Sequence, residues 1–166
     1  MTTENSAQNN SAQKVLIVGA GVTGLAAAIE LDQLGWDVTV IERAPERRRG
    51  GYFIALMPTG IAAAQRLGLG VLDKMPSRKP EGSHTFSINR TGTITPDMGY
   101  VGDTDTFRTL LRGDVENALY TSLPESVKVL FGTTVTAITQ EPGSATATLR
   151  DASGERTETY DLILGA

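Results

Sequence analysis

The stretch GAGVTGLAAAIELDQLGWDVTVIER, residues Gly19–Arg43, decides the fold that we predict for this chain. It follows a β-branched apolar run, Lys14–Val18, which predicts a buried strand. After the first glycines come strong helix formers, which predict a helix over Gly21–Leu34. The run Asp37–Ile41 then predicts a second strand, with Glu42 at its end. A strand, a helix and a strand in close succession make a βαβ unit, whose two strands are parallel neighbours.

The three glycines have the GxGxxG spacing of a dinucleotide-binding turn. Gly19 allows a tight turn after the strand, Gly21 leaves room for a pyrophosphate, and Gly24 lets the helix pack closely. The amides at the helix start then point at the phosphates, whose negative charge the helix dipole favours. Glu42 stands where a carboxylate can accept hydrogen bonds from ribose hydroxyls, and it would repel a 2′-phosphate. The pattern predicts dinucleotide binding and leaves FAD and NAD both open. The alternative is a glycine turn used only for packing.

The composition limits the classes of protein to consider. The chain has 166 residues, 40% of them hydrophobic, which is enough for about one domain with a packed core. Its net charge of −4 provides no broad basic field, so we expect no nucleic-acid partner. It has no cysteine and one histidine, so we expect no metal site and no catalytic triad. That histidine, His84, stands alone in an alternating segment, and we interpret it as structural or solvent-facing. We therefore assign no catalytic residue.

The amino-terminal residues and the lengths of the apolar runs indicate where in the cell the protein lies. Residues 1–13 are polar, which predicts a disordered tail without the apolar core of a signal peptide. No apolar run approaches the roughly 18 residues of a membrane-spanning helix. We expect a cytoplasmic protein with no membrane partner.

Further helices and strands follow the βαβ unit. A helix over Pro58–Leu67 has proline in its first turn and is capped by Gly68. The alternating segment His84–Asn89 predicts a strand, with a turn and a partner strand in RTGTI, and residues 112–122 suit a helix. The last third consists of the alternating segments VKVLF, TTVTAIT, ATATLRD and RTETYDLILG, with turns at EPGS and ASGE. The predicted fold class is α/β, a Rossmann-like βαβ unit with an added antiparallel β region.

Four segments, in this order, resemble the FAD-dependent aromatic-hydroxylase family, the class A flavoprotein monooxygenases that include p-hydroxybenzoate hydroxylase. The segments are VLIVGAGVTGLAAAIELDQLGWDVTVIER, GGYFIALMPTGIAAAQRLGLGVLDKM, LLRGDVENAL and YDLILGA. Many flavoproteins share the first segment, whereas the ordered set is more specific. The resemblance implies an FAD-binding domain over residues 14–166, in which residues 83–105 are an excursion into the substrate-domain sheet.

The resemblance also implies contacts between particular residues and FAD. Glu42 would hold the adenosine ribose, and Arg43 would lie against the adenine side. Arg112 would reach the cofactor near its phosphates and ribityl chain, and the strand around Val135 would run beside the adenine. As alternatives, both arginines could be surface residues, and Val135 could belong to the core. The residues implied to surround the pyrophosphate are Gly19, Gly21, Val22, Thr23 and Gly24.

By resemblance, the parent protein is an FAD-dependent monooxygenase. It would hydroxylate a small aromatic or polyketide-like substrate, with NAD(P)H as the reductant and O₂ as the oxygen source. The family continues beyond the last residues, Gly165 and Ala166, with a second cofactor motif and most of the substrate-binding part. We therefore expect a fragment that is incomplete relative to the family fold, inactive alone, and able to pair with the missing C-terminal part as a separate chain. The alternatives are a non-catalytic nucleotide-binding fragment and an NAD-dependent dehydrogenase.

Overall fold

The computed structural model describes residues 12–47, 50–76, 85–97 and 107–166. They fall into two units, the first made of the residues up to Glu46 together with Pro124–Ala166, and the second of Arg47–Leu123. The elements in chain order are β1 (Lys14–Val18), α1 (Val22–Gln33), β2 (Asp37–Glu42), β3 (Phe53–Leu56), α2 (Pro58–Leu67), β4 (Thr85–Ile88), β5 (Ile94–Asp97), β6 (Arg108–Leu111), α3 (Arg112–Tyr120), β7 (Lys128–Phe131), β8 (Thr134–Glu141), β9 (Ser144–Asp151), β10 (Gly154–Tyr160) and β11 (Leu162–Gly165).

A parallel sheet with the strand order β11-β1-β2-β7 forms the centre of the first unit. Three successive residues of β1, Val15–Ile17, are fully buried. A strand that is covered on both faces needs apolar side chains at successive positions, which explains the unbroken apolar run. β1 and β2 are parallel neighbours, with Val18 opposite Ile41, so the predicted βαβ unit is confirmed.

One face of this sheet is covered by α1. The buried positions of the helix recur at the spacing of a helical stripe, so small and aliphatic side chains meet the strands. Gly24 lies closest, since a Cβ there would stand 3.3 Å from Ile17 Cγ2. The buried residues of α1 are Gly24, Leu25, Ala28 and Ile29.

The carboxyl end of α1 is closed by Gly35. Gly35 has a φ of +86°, and its N–H donates to Asp32 O at 2.8 Å. The N–H of Trp36 donates to Leu31 O at 3.1 Å, which completes a Schellman motif. Only glycine adopts this left-handed conformation without steric cost, so the turn into β2 depends on Gly35.

The other face of the parallel sheet is covered by an antiparallel sheet with the order β10-β9-β8. Leu16 and Ile41 of the parallel strands share a buried cluster with Ala147, Leu149 and Tyr160 of the antiparallel strands. The predicted hairpin turns are confirmed, because β8 pairs with β9 and β9 pairs with β10. The first unit is therefore built as a helix, a parallel sheet and an antiparallel sheet in three layers.

A charged network runs along β10 from the buried Tyr160. The Tyr160 hydroxyl donates to Glu158 Oε2 at 2.8 Å, and Arg156 Nε donates to Glu158 Oε1 at 2.8 Å. Arg156 also pairs with Asp151. The hydrogen bond from Arg156 lowers the pKa of Glu158, and a backbone hydrogen bond from Ser153, followed by the one from Arg156, lowers the pKa of Asp151. Burial, followed by the hydrogen bond to Glu158, raises the pKa of the Tyr160 hydroxyl.

The last alternating segment of the sequence is not one strand. It divides at Asp161 into β10, which belongs to the antiparallel sheet, and β11, which pairs with β1. The Asp161 carboxylate accepts a hydrogen bond from Lys14 N at 2.7 Å, and Asp161 N donates to Lys14 O at 2.9 Å. These two bonds fasten the bend to the start of β1, so the chain passes from one sheet to the other at this residue.

The second unit contains the antiparallel pair β3–β6 and the hairpin β4–β5. The helix α2 spans Pro58–Leu67, as predicted at both ends, with Gly68 at φ +67° after it. The turn predicted in RTGTI is confirmed, since Asn89 N donates to Thr93 O at 3.1 Å between the two strands. The excursion predicted for residues 83–105 stays a prediction, and its His84 lies outside the described residues.

The helix α3 buries one apolar face, on which Val115 and Leu119 are both covered. It ends at Tyr120, two residues before the predicted end. The Nζ of Lys74 donates to Thr121 O at 2.9 Å and thereby satisfies a carbonyl at the helix end. The helix dipole also favours a positive charge at this end. The side chain of Lys74 therefore attaches the turn that contains it to the end of α3.

Candidate functional site

The glycine loop joins β1 to α1 at the carboxyl edge of the parallel sheet. Gly19 has a φ of +118°, and its N–H donates to Ile41 O at 2.8 Å. A Cβ at this position would lie 2.3 Å from Ala166 O. Both the backbone conformation and the neighbouring carbonyl therefore require glycine here, and the predicted tight turn is confirmed.

The third glycine of the motif brings α1 against the loop. A Cβ on Gly24 would stand 1.9 Å from Gly19 O, a separation that real Cβ atoms do not reach. The close helix packing predicted for Gly24 is confirmed, and packing explains this glycine as well as the first.

Gly21 differs from the other two glycines. It precedes α1 with φ −80° and ψ −172°, an extended conformation that any L-residue adopts. The first intrahelical bond runs from Leu25 N to Gly21 O at 3.0 Å, so the amides of Val22, Thr23 and Gly24 precede it. Within α1, all of whose residues are described, no acidic residue stands in the first turn. The helix therefore presents an amino end that is not neutralised by its own side chains.

The carboxylate of Glu42 lies beside this loop at the end of β2. Its Oε2 accepts a hydrogen bond from Ala20 N at 3.1 Å, and its Oε1 accepts one from Ala44 N at 2.8 Å. The backbone carbonyl of Glu42 accepts from Thr133 N at 3.0 Å, which ties the end of β2 to the segment after β7. Glu42 is partly buried and fixed from several directions. The bond to Ala20 was not predicted from the sequence.

Two other predicted residues of this unit have different surroundings. Arg43 is exposed directly after Glu42. Val135 is partly buried and packs against the cluster that contains Leu149 and Tyr160. A β-bulge follows between Val135 and Ala137. These contacts give Val135 a core role, while the cofactor roles of both residues stay predictions.

Arg112 belongs to the second unit, where it opens α3. Its N–H donates to Tyr52 O at 3.0 Å, and its guanidinium pairs with Glu116 at 2.8 Å. The Arg112 side chain is 43% exposed, and its role at the cofactor stays a prediction. The i,i+4 spacing of arginine and glutamate could have indicated this ion pair in the sequence.

The described residues contain no group of three His, Cys, Asp or Glu side chains that could hold a metal ion. In the same part of the chain, no helix is long and apolar enough to cross a membrane.

A parallel sheet whose first βα turn carries these glycines, and whose second strand ends in an acid, defines the class of Rossmann-like dinucleotide-binding domains. Residues 12–166 match the family described as FAD binding domain. The chain belongs to this family of FAD-binding domains. The match does not favour the alternatives of a non-catalytic nucleotide-binding fragment and an NAD-dependent dehydrogenase.

Curated relatives of the chain include flavin-dependent monooxygenases. The FAD-dependent monooxygenase asL4 of Sarocladium schorii is 32% identical over 160 residues, which cover 92% of this chain and 36% of that protein. The flavin-dependent monooxygenase eupH of Phoma sp is 32% identical over 162 residues, covering 92% of this chain and 37% of that protein. The chain thus spans a little over a third of the length of these relatives.

Solved structures share the fold. The tetracycline destructase Tet(51) superposes with a TM-score of 0.74 at 25% identity, over 94% of this chain and 39% of that one. The aklavinone-11 hydroxylase, in a ternary complex with FAD and aklavinone, has a TM-score of 0.76 at 21% identity, over 93% of this chain and 32% of that one. The predicted fold class is confirmed, and the chain spans only part of these folds.

Proposed function

We propose that this chain is the FAD-holding part of a flavin-dependent monooxygenase, with the ADP half of FAD at the carboxyl ends of β1 and β2. Ligands of open α/β sheets bind in the crevice outside the carboxyl ends of the strands. The glycine loop and Glu42 both lie at this edge of the sheet. The family match supports FAD as the dinucleotide.

The observation that carries the proposal is the residue before α1. The residue before a helix is commonly Ser, Thr, Asp, Asn or Gly, and of these only glycine has no side chain to accept a hydrogen bond from an amide of the first turn. Gly21 stands in that place, although its extended backbone does not require glycine. Because α1 has no side-chain cap, the amides of Val22, Thr23 and Gly24 could donate to an acceptor from outside the helix. A pyrophosphate supplies such acceptors, and its charge is favoured at this end of the dipole.

Glu42 and Arg43 complete the adenosine side. The Glu42 carboxylate accepts from the amides of Ala20 and Ala44, which fixes its position at the end of β2 before the cofactor binds. In the proposed site, ribose hydroxyls would donate to this carboxylate. The adenine would lie on the side of Arg43 and the strand around Val135.

Arg112 enters the proposal through the family resemblance. As a guanidinium it would pair with the FAD phosphates or donate to the ribityl hydroxyls. Glu116 holds that guanidinium at 2.8 Å in the second unit, which limits the conformations it samples before the cofactor binds.

FAD, when bound, supplies the redox chemistry of such an enzyme, and the protein contributes binding and orientation. The names of the relatives, which are flavin-dependent monooxygenases, support a monooxygenase. By the family resemblance, the whole enzyme would act on a small aromatic or polyketide-like molecule with NAD(P)H and O₂. A cytoplasmic location, and pairing with a C-terminal part supplied as a separate chain, belong to the same proposal.

The test is a titration of the purified 166-residue chain with FAD, in which quenching of the flavin fluorescence reports binding. ADP is then added as a competitor. We expect weak binding of FAD that ADP displaces, and no hydroxylated product from a panel of phenols with NADH or NADPH. Gly21→Val should abolish the FAD signal, whereas Ala152→Val, a β-branched change at an exposed turn of the same unit, should leave it unchanged. If wild type binds neither FAD nor ADP, the proposal is wrong.

A further inference from the structure

The carboxylate of Glu42 contacts the phosphate loop itself. Its Oε2 accepts a hydrogen bond from Ala20 N at 3.1 Å, and Ala20 stands between Gly19 and Gly21. Its Oε1 accepts another from Ala44 N at 2.8 Å. One side chain thus joins the turn after β1 to the turn after β2.

The bond to Ala20 restrains the middle residue of the glycine loop. Gly19 is fixed by its N–H bond to Ile41 O and by the close approach of Gly24. Gly21 has the extended conformation of an ordinary residue, so its own backbone preference does not determine the loop. The peptide of Ala20 lies between these two glycines. A change in its orientation would be passed through Gly21 to the first amides of α1.

We propose that Glu42 is a positioning residue for the glycine loop, which orients the phosphate-binding amides through Ala20 in addition to any contact with ribose. The inference rests on the proposed function, because it assigns a second role within the same FAD site. It implies that the ribose half and the pyrophosphate half of the site are mechanically linked through one carboxylate.

Electrostatics and positioning predict opposite results when Glu42 is neutralised. The carboxylate repels a phosphate bound nearby, so loss of its charge alone strengthens phosphate binding. Loss of the Ala20 bond frees the loop and weakens phosphate binding. The amide oxygen of a glutamine can accept from one of the two backbone N–H groups, while its NH₂ group faces the other donor. Glu42→Gln therefore removes the charge and breaks the bridge with little change in volume.

The experiment uses inorganic pyrophosphate, which carries no ribose, as a competitor of FAD on the 166-residue chain. We expect Glu42→Gln to raise the dissociation constant of pyrophosphate about fivefold, the effect of one ordinary hydrogen bond. The matched control is Glu30→Gln, the same change of charge at an exposed position of α1, which should leave it unchanged. Far-ultraviolet circular dichroism verifies that both variants are folded.

Equal or tighter binding of pyrophosphate by Glu42→Gln, together with weaker binding of adenosine, would overturn the inference and leave Glu42 as a ribose ligand alone. A wild-type chain that binds neither FAD nor pyrophosphate would remove the proposed function itself. A second measurement needs no variant. Amide hydrogen exchange of Ala20 in ligand-free wild type should be as slow as in β1, and exchange at the rate of an open loop would refute the bridge.

Discussion

Alanine substitutions at the three glycines of the loop should separate folding from cofactor binding. At Gly24 the new methyl group would stand 1.9 Å from Gly19 O. At Gly19 it would stand 2.3 Å from Ala166 O, on a backbone with φ +118°. At Gly21 the backbone is extended, with φ −80°, so alanine adds no backbone strain.

These differences set the expected changes in the free energy of unfolding. Overpacking costs about 1–3 kcal/mol, which we expect for Gly24→Ala. Gly19→Ala adds backbone strain of roughly 1–3 kcal/mol to a similar clash. Gly21→Ala should instead stabilise the fold by up to about 1 kcal/mol, because alanine restricts the unfolded chain more than glycine does.

The expected order for cofactor affinity is different. A methyl group on Gly21 would occupy space next to the amides that we propose hold the pyrophosphate. Loss of one hydrogen bond to a charged group costs about 1.5–3 kcal/mol, which corresponds to a roughly tenfold to hundredfold weaker affinity for FAD. Gly21→Ala should therefore be the variant that is stable and yet binds FAD roughly tenfold to hundredfold more weakly.

Urea unfolding gives the stabilities, and titration with FAD and ADP gives the affinities, on the same three variants and the wild type. Normal FAD binding by a folded Gly21→Ala would refute the phosphate-loop assignment. Unfolding of Gly21→Ala with a stable Gly24→Ala would refute the structural reasoning about which glycines are needed for packing.

Three further predictions test other parts of the structure. Because the pKa of Tyr160 is raised, its neutral hydroxyl stabilises the fold fully below about pH 10. Above that pH, the free energy of unfolding should fall by up to about 1.4 kcal/mol per pH unit. In urea unfolding, Tyr160→Phe should lose less stability at alkaline pH than the wild type. Arg112→Ala should weaken FAD binding about tenfold while changing the unfolding free energy by less than about 0.5 kcal/mol, since its pair with Glu116 is a partly exposed i,i+4 pair; equal FAD titrations of variant and wild type would contradict this. Gly35→Ala should lower the free energy of unfolding by roughly 1–2 kcal/mol, because the left-handed backbone alone opposes alanine and no atom lies within 4 Å of the new Cβ. Thermal melts should show a smaller loss for Gly35→Asn than for Gly35→Ala.

The sequence predicts well the elements whose ends carry a local signal. The helix Pro58–Leu67 is marked by proline at its start and glycine after its end, and the structure agrees at both. The βαβ unit is likewise local, because the glycine pattern, the helix formers and the acid lie within one stretch. The division at Asp161 depends on hydrogen bonds to Lys14, 147 residues away in the chain, and alternation alone contains no information about such a partner.

The site shows the same limit. The spacing of the glycines indicates their roles in the turn and in helix packing, and the structure confirms both for Gly19 and Gly24. It does not indicate that Gly21 is conformationally ordinary, nor that Glu42 accepts a hydrogen bond from Ala20. These facts depend on dihedral angles and on side-chain orientation, which residue spacing does not determine.

The central claim is that the ADP half of FAD binds at the glycine loop and Glu42. The most direct test is a titration of the ¹⁵N-labelled chain with ADP, in which the amide resonance of every residue is followed. We expect the largest and saturable shifts at Gly21, Val22, Thr23 and Gly24, with a second group at Glu42 and Ala44. Saturable shifts confined to other residues, or no shifts at concentrations of ADP that displace FAD, would contradict this binding site.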